Sequence, residues 1–243
     1  AGKVQFDNAS GTPTERNNSD NTLFSVALYS NNQLTSFWKS HFAIARGATE
    51  SRTFTNGGTP TRFNTANAQY QWQNDFNIAK EHVVTASLEG QEQRVDSTTV
   101  YRRTGRDVRS MMLAYSGRAG AHQLQGSTRR DHYSDFGDAN TWLAGYGYDI
   151  NPLWKVTAMH SNAFRAPTFN ELFFPGFGNP NVQPEKSESN ELGLQYAPNN
   201  HLLRVALFRT KYRNMIQNVA VAPSIFVAQN VASARVDGAE MSY

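Results

Sequence analysis

Polar and apolar residues alternate along most of this chain, and this two-residue period limits the possible folds more than any other feature. In residues 65–73 the even positions are Ala, Ala, Tyr and Trp, whereas every odd position is Thr, Asn or Gln. Residues 84–93, 141–150 and 189–197 divide in the same way. Successive side chains of a β-strand point to opposite faces, so the pattern predicts strands with one polar and one apolar face. In 204–213 the phase changes part-way, and the sequence does not assign its faces.

The strand pattern recurs about a dozen times, which predicts an all-β protein. Many of the segments have about ten residues or more, whereas strands of globular proteins most often have about 5–6. A strand that crosses a bilayer at a tilt needs roughly 9–11 residues, so these lengths favour an antiparallel transmembrane β-barrel over a soluble sandwich. The predicted strands lie near residues 1–7, 21–31, 36–49, 62–74, 81–95, 107–117, 121–132, 139–150, 153–165, 187–197, 201–213 and 228–242.

The connections between the predicted strands alternate between short and long. This asymmetry is typical of outer-membrane barrels, which have short periplasmic turns and long outer loops. The predicted short connections are 31–36, 75–80, 118–120, 151–152 and 198–200, and the predicted long ones are 7–20, 50–61, 96–106, 133–138, 166–186 and 214–227.

Large aromatic residues fall toward the ends of the predicted strands on their apolar faces. Membrane barrels place such residues in girdles at the two interfaces, although the core of a soluble sandwich also packs aromatic residues on one face. Together with strand length and loop asymmetry, the aromatic positions favour the barrel. They are Trp38, Tyr70, Trp72, Trp142, Trp154 and Tyr196.

Composition agrees with a barrel and argues against several other classes of protein. The mean hydropathy is −0.59, which a barrel permits because only every second strand position must be apolar. No apolar run reaches about 18 residues, so the sequence predicts no membrane-spanning helix. The chain has no Cys, and its net charge of +3 comes from scattered residues, which gives no sign of nucleic-acid binding.

Residues 161–187 read SNAFRAPTFNELFFPGFGNPNVQPEKS. This segment resembles the TonB-dependent outer-membrane receptors, in which a (F/Y)RAP(T/S)xxEL(F/Y) motif ends one strand and a GNPxLxPExS motif leads into the next. Val182 stands where Leu is commoner in the family. Residues 130–137 (RDHYSDFG) and 230–240 (NVASARVDGAE) resemble a preceding outer loop and a later strand of the same receptors. The matching motif residues are Phe164, Arg165, Ala166, Pro167, Thr168, Glu171, Leu172, Phe173, Gly178, Asn179, Pro180, Pro184, Glu185, Lys186 and Ser187.

The resemblance implies a bacterial outer-membrane barrel of about twenty-two strands that encloses an N-terminal plug domain. It also implies a short N-terminal box that binds TonB, an energy coupler anchored in the inner membrane. We therefore expect residues 1–243 to be one partial barrel domain, with the plug, the TonB box, the signal peptide and the last strands outside this sequence. Such a piece would expose unpaired strand edges to lipid, so we expect that it does not fold alone.

Within the family, the likeness is greatest to the vitamin B12 (cobalamin) transporters, through residues 106–185 and the compact loop 173–181. It implies a receptor that captures cobalamin with its outer loops and imports it when TonB rearranges the plug. The implied partners are cobalamin, the TonB complex, the plug and outer-membrane lipid, with no cofactor and no enzymatic activity. Haem and iron–siderophore receptors share the motif and are the alternatives. A haem receptor should carry a loop His as axial ligand, and none stands in 166–187.

The motif residues have an architectural interpretation and a ligand-binding one. Pro167 and Pro180 end or stiffen chain segments, and Arg165 and Glu185 can pair at the base of the loop. The same interpretation applies to Glu171, Gly178, Asn179 and Pro184. Aromatic residues in one outer loop either pack inward or contact a ligand, and we predict a substrate-binding set of Phe169, Phe173, Phe174, Phe177 and Asn179.

Five residues on polar strand faces are predicted to line the barrel lumen, where they contact either the plug or water. They are Glu89, Arg129, Asp131, Glu191 and Gln195. The six histidines show no spacing typical of a metal site. His132, Asp131 and Asp135 could bind a cation in an outer loop, but the prediction is that the chain has no metal site.

Two further classes of protein compete with the transporter. A soluble all-β binding domain, such as a carbohydrate-binding sandwich, would lack the apolar outer band. A barrel lipase would need an essential Ser on the wall, but no local signature distinguishes any Ser–His pair as catalytic. The sequence also has no GxGxxG fingerprint, so we predict no catalytic residue and no nucleotide cofactor.

Overall fold

The computed structural model describes residues 2–6 and 17–243, which form twelve strands and one short helix. The predicted all-β class and the dozen predicted strands are confirmed. The strands are β1 Gly2–Phe6, β2 Asn17–Gln33, β3 Trp38–Thr55, β4 Thr61–Ala79, β5 His82–Ser97, β6 Gly105–Ala119, β7 His122–Tyr133, β8 Gly137–Asp149, β9 Trp154–Arg165, β10 Glu185–Tyr196, β11 Leu203–Ala222 and β12 Ile225–Ser242, and the helix is α1 Phe169–Phe173.

All twelve strands belong to one sheet, and each strand pairs with its neighbours in the sequence. Every pairing is antiparallel, so the chain runs up and down from β1 to β12 as it does in a barrel wall. Within residues 2–6 and 17–243, no pairing joins β1 to β12.

The strands are longer than a bilayer requires, and this length changes the predicted loop pattern. β11 has 20 residues and β12 has 18, whereas a tilted transmembrane strand needs roughly 9–11. The predicted long connection 214–227 is therefore wrong, because pairing continues to Ala222 and Ile225 around a tight turn. Ser224 in this turn has a φ of 62°, as a tight hairpin requires.

Other predicted connections shrink for the same reason. The predicted connection 133–138 is reduced to residues 134–136, because β7 and β8 pair up to Tyr133 and Gly137. Residues 17–20 of the predicted connection 7–20 belong to β2, and residues 7–16 lie outside the described part of the chain. Strict alternation of short and long connections is therefore wrong. Among the described connections, 166–184 is the longest.

The two faces of the sheet reverse the arrangement of a soluble protein. Large apolar side chains such as Leu88, Leu113 and Leu192 are more than half exposed, and they share one face. On the opposite face, Ser110 and Asp131 are buried. An outward apolar face is unfavourable in water and favourable in lipid, so the sheet has the character of a membrane wall.

The apparent phase change in 204–213 has a simple structural cause. Val205, Leu207, Arg209 and Lys211 occupy the same face in regular register with β10 and β12, and the first register shift comes only after Tyr212. The strand therefore keeps its phase, while its outward residues change from apolar to basic along its length.

Aromatic pairs mark the short-turn ends of two hairpins. Trp154 and Tyr196 lie at the ends of β9 and β10 and stack with ring centroids 4.3 Å apart. Trp38, the first residue of β3, stacks on Phe76 at 5.8 Å. These positions agree with an interfacial girdle, but Tyr70 and Trp142 lie in the middle of β4 and β8, so the prediction of strand-end positions is wrong for these two.

A buried apolar cluster lies at the opposite end of the sheet, where loop 166–184 meets the outer ends of the strands. It contains Tyr101, Leu172, Phe173, Val182 and Ala228. No helix in the described residues is long and apolar enough to cross a membrane.

Candidate functional site

Loop 166–184 begins with a capped turn of helix. Thr168 is the N-cap of α1, and its hydroxyl accepts a hydrogen bond from the backbone N–H of Glu171 at 3.2 Å. The Glu171 carboxylate in turn accepts from the backbone N–H of Thr168 at 2.7 Å. This reciprocal capping box satisfies two N–H groups that the helix leaves without partners. Pro167, fully buried, stiffens the entry to the turn.

Arg165 closes the base of this loop. Its guanidinium donates to Glu185 at 2.8 Å and to Glu171 at 2.9 and 3.1 Å. Glu185 also accepts from the backbone N–H of Ile216 at 2.7 Å, so one residue joins the loop base to β11. The predicted pairing of Arg165 with Glu185 at the loop base is confirmed, and the three motif residues hold β9, α1 and β10 together.

The pKa values at the loop base follow from these contacts. The hydrogen bond from Arg165 lowers the pKa of Glu185 below its usual value. Burial acts in the opposite direction at Glu171, but hydrogen bonds from Arg165 and Thr168 outweigh it, and the pKa of Glu171 is also lowered. The hydrogen bonds from Glu185 and Glu171 raise the pKa of Arg165. All three groups are therefore charged at neutral pH.

Residues 178–180, the GNP of the second motif, attach the loop to β12. The Asn179 side-chain amide donates to the carbonyl of Ala228 at 3.0 Å, and the N–H of Ala228 donates to the carbonyl of Phe177 at 3.1 Å. A side chain at Gly178 would place its Cβ only 2.6 Å from the backbone nitrogen of Phe174, so only glycine fits there. Pro184 is buried and Pro180 is exposed.

The four predicted phenylalanines differ in their surroundings. Phe173 is buried in the apolar cluster, and Phe169 and Phe177 pack against it. Phe174 is 37% exposed and meets the Tyr101 ring edge-on, with centroids 5.7 Å apart. Of the four, Phe174 is therefore the one most available to a ligand, and ligand contact by the set stays a prediction.

Sequence reasoning missed Arg106, a buried charge next to the loop. Its side chain is 5% exposed, and it lies 2.6 Å from Asp135, which is 1% exposed. It also donates to the carbonyl of Pro167 at 2.7 Å. Three aromatic rings surround its guanidinium at 5.1–5.6 Å from their centroids, a cation–π arrangement. They belong to Tyr133, Phe136 and Phe169.

Tyr101 was also missed. Its hydroxyl donates to the side-chain oxygen of Asn170 at 2.6 Å, and burial raises the pKa of this phenol. The contact ties the β5–β6 connection to α1. No local pattern around Tyr101 or Arg106 signals these contacts, because the partners lie 69 and 29 residues away in the chain.

Three of the five predicted lumen residues form one network on the polar face of the wall. Arg129 donates to Glu89 at 2.8 Å and to Asp131 at 2.9 Å, and Ser110 donates to Asp131 at 2.5 Å. Glu191 and Gln195 lie on the corresponding face of β10, away from this network. Contact of these residues with a plug stays a prediction.

The alternative of a cation site at His132, Asp131 and Asp135 does not fit the structure. Asp131 binds Arg129 and Ser110 on the polar face, Asp135 binds Arg106, and His132 pairs with Asp138 at 2.6 Å on the outward face. Adjacent strand residues point to opposite faces, so Asp131 and His132 cannot share an ion. Among the residues that the structure describes, no group of three His, Asp or Glu side chains could hold a metal ion.

Comparison with known proteins gives the family. Residues 2–243 match the family described as "TonB dependent receptor-like, beta-barrel". The chain belongs to this family. Its members are receptors and transporters of the bacterial outer membrane and not enzymes, which places this wall in that membrane and confirms the prediction that the chain is not an enzyme.

Two similar curated proteins are vitamin B12 transporters. The chain is 30% identical to "Vitamin B12 transporter BtuB" of Photobacterium profundum over 253 residues, which covers 99% of this chain and 40% of that protein. It is 30% identical to the protein of the same name from Vibrio vulnificus over 147 residues, or 60% of this chain and 24% of that protein. The chain thus spans less than half the length of the relatives that it matches.

Solved structures with the same fold include a siderophore receptor and a hemophore receptor. The siderophore receptor PirA from Pseudomonas aeruginosa has a TM-score of 0.75 and 16% identity, over 98% of this chain and 51% of that one. The hemophore receptor HasR from Serratia marcescens has a TM-score of 0.72 and 18% identity, over 98% and 50%. These likenesses concern the fold alone.

Proposed function

We propose that this chain forms part of the wall and outer loops of a receptor that imports cobalamin across the outer membrane. The observation that carries the proposal is the 30% identity with a vitamin B12 transporter along 99% of the chain. Residues 1–243 are then one partial barrel domain, which encloses a plug domain of the same protein. TonB, energised from the inner membrane, rearranges that plug.

The structure supports this function through a rigid loop above a polar wall. The Arg165–Glu171–Glu185 network and the apolar cluster fix loop 166–184 to β9, β11 and β12. A preorganised loop binds its ligand with a smaller loss of conformational entropy. Phe174 is the exposed aromatic of this loop and is the proposed contact with the flat corrin ring. The solute would then pass between the plug and the polar residues of the wall.

The test is binding of labelled cyanocobalamin to outer membranes from cells that express the full-length gene, with empty-vector membranes as the control. We expect saturable binding with a submicromolar Kd, equivalent to more than about 8 kcal/mol. Absence of binding, with the barrel detected in the membrane, would contradict the cobalamin assignment. Binding of haem or an iron–siderophore by those membranes would then give the substrate.

A pair of variants tests the proposed contact. Phe174→Ala should weaken cobalamin binding by about 10-fold, because an aromatic anchor at a binding site typically contributes more than about 1 kcal/mol. Phe42→Ala is the matched control, since Phe42 is 44% exposed on the lipid-facing side of β3. Equal affinities for the two variants would remove Phe174 from the site and leave the substrate assignment intact.

A further inference from the structure

Asn230 joins the end of loop 166–184 to β11 and β12. It begins segment 230–240, which resembles a strand of the family but contributes no residue to the predicted substrate-binding set. Its side-chain oxygen accepts a hydrogen bond from the backbone N–H of Gln183 at 2.7 Å. Its side-chain nitrogen donates to the carbonyl of Gln183 at 2.9 Å and to the carbonyl of Asn214 at 2.7 Å. Backbone groups of two separate segments therefore meet at one amide.

The chemistry of these contacts requires an asparagine. An Asn amide has an acceptor oxygen and a nitrogen with two N–H donors, and the three contacts match that set. Toward Gln183 the amide acts as the peptide group of a neighbouring strand would, because it pairs with both the N–H and the carbonyl of one residue. An ionised Asp has no donor, and Ala has no polar group, so neither could make the three contacts.

The carbonyl of Asn214 belongs to an irregular point in β11. The register with β12 shifts on both sides of Met215, and Asn214 has a φ of 55°, in the left-handed region. A residue in a β-bulge is left outside the ladder of the two strands, so its backbone groups need other partners. Asn230 supplies such a partner from the facing strand. The same side chain thus fixes both the bulge and the end of the loop.

Further hydrogen bonds from the end of the loop reach the part of the β11–β12 hairpin that lies beyond this bulge. The Asn179 amide donates to the carbonyl of Ala228 at 3.0 Å, and the N–H of Ile216 donates to Glu185 at 2.7 Å. This upper hairpin, residues 216–230, and the second half of the loop therefore form one hydrogen-bonded unit. The three contacts of the asparagine tie that unit to the bulge.

We propose that Asn230 is a positioning residue for substrate capture, which holds loop 166–184 in the conformation that binds the imported solute. Contacts of Tyr101 fix the first half of the loop and contacts of Asn230 fix the second, so Phe174 is presented between two anchored ends. A protein whose binding-competent state is only partly populated binds its ligand more weakly by that fraction. Loss of the amide should therefore weaken binding without the loss of any ligand contact. This inference rests on the proposed function, because it requires that the loop contacts the solute.

The first measurement is hydrogen exchange of the full-length protein without ligand. In Asn230→Ala the amides of residues 177–185 should exchange about 10-fold faster than in the wild type, and those of β4 to β8 should not change. A neutral hydrogen bond shifts an equilibrium by a factor of about 5, and water replaces part of the three that are lost. Saturation with cyanocobalamin should return exchange in Asn230→Ala to that of the wild type, because the ligand selects the ordered loop.

The second measurement is binding and uptake of labelled cyanocobalamin. Asn230→Ala should raise both the Kd and the half-saturating concentration for uptake about 10-fold, while the uptake rate at saturation stays that of the wild type. A misfolded barrel would lower that rate as well. Asn230→Asp has nearly the same size but should bind no better than Asn230→Ala, because its carboxylate would face two carbonyl oxygens. The matched control is Asn218→Ala, an exposed position of the same hairpin, which should equal the wild type in both measurements.

Wild-type exchange of residues 177–185 in Asn230→Ala would overturn the proposal. Wild-type affinity in that variant despite faster exchange, or wild-type affinity in Asn230→Asp, would overturn it as well. If the wild-type protein itself binds no cyanocobalamin, the proposed function fails instead. Exchange then still decides whether Asn230 holds the loop, and the affinity comparison is made with the haem or iron–siderophore that the membranes bind.

Discussion

The sheet that forms the wall and the apolar cluster at loop 166–184 place similar side chains in different surroundings. Leu192 of the wall is 62% exposed on the outward face, whereas Leu172 of the apolar cluster is 2% exposed. Charged residues are buried in both regions, but in different surroundings. In the wall, Asp131 is buried on the inner side, within a network of polar groups. Beside the loop, Arg106 and Asp135 are buried among aromatic rings, whereas Arg165 and its carboxylate partners lie at the more exposed base of the loop. The wall relies on the backbone hydrogen bonds of eleven strand pairings, and the loop relies on a small apolar core. Equivalent substitutions should therefore destabilise the two regions to different extents.

The largest difference is expected for charge pairs at different depths. Arg106→Met leaves the buried Asp135 without its partner, which should destabilise the loop region by about 3–5 kcal/mol. Arg94→Met breaks the ion pair of Arg94 with Asp107, in which the Arg94 side chain is 47% exposed and the Asp107 side chain is 57% exposed. That change should cost less than about 1 kcal/mol. Hydrogen exchange of the amides in 168–182 and 134–136 in the full-length protein measures both effects.

A second substitution separates loss of the guanidinium from loss of packing. Adding Asp135→Leu to Arg106→Met replaces the buried pair with apolar groups and should recover much of the lost stability. The hypothesis of a buried electrostatic anchor would be wrong if the double variant were no more protected than the single one. It would also be wrong if Arg94→Met reduced protection of the same amides as much as Arg106→Met does.

The next largest difference is expected for the two leucines themselves. Leu172→Ala leaves a cavity in the loop core and should cost about 2–5 kcal/mol. Leu192→Ala leaves no cavity, because lipid chains fill the space. It should lower the free energy of unfolding by only about 0.5 kcal/mol. Hydrogen exchange of the loop reports the first effect, and thermal unfolding of the barrel in detergent reports the second. Equal costs would mean that the outward face is not in lipid.

Much of the wall was predictable because its residues follow a purely local rule. Alternation assigned the faces of β4, β5, β8 and β10 correctly. The same rule holds in β11, where the outward residues change from apolar to basic, and this change resembles a change of phase in the sequence. The loop lengths were less predictable. Pairing of β11 with β12 continues to Ala222 and Ile225, and no residue pattern in 214–227 predicts that the strands extend so far.

The candidate site was predictable only where a motif carried it. The residues of the loop base, Arg165 and Glu185, follow from the resemblance and are paired in the structure. Arg106 and Tyr101 contact partners in other hairpins, so their roles depend on how three outer connections meet in space. The alternative of a cation site could have been excluded from the sequence, since Asp131 and His132 are neighbours on a strand and point to opposite faces.

The smallest effect is expected at the base of the loop, where acid should loosen the Arg165 network. The pKa values of Glu171 and Glu185 are lower in the folded loop than their usual value of 4.5. The network therefore contributes stability that is fully present above about pH 4.5 and is lost as the pH falls through the lowered folded-state pKa values. Because Arg165 is partly exposed and screened, this contribution should be about 1 kcal/mol.

Protease protection of loop 166–184 between pH 7 and pH 3 measures this loss in the full-length protein. Arg165→Gln removes hydrogen bonds that lower the pKa values of Glu171 and Glu185, so protection should already be lower at pH 7 and should fall less between pH 7 and pH 3 than in the wild type. Arg213→Gln is the control, because its contact with Glu188 lies on the exposed outward face. If Arg165→Gln, Arg213→Gln and the wild type have the same protection at every pH, the loop is held by its apolar core alone. The polar base would then orient the loop without stabilising it.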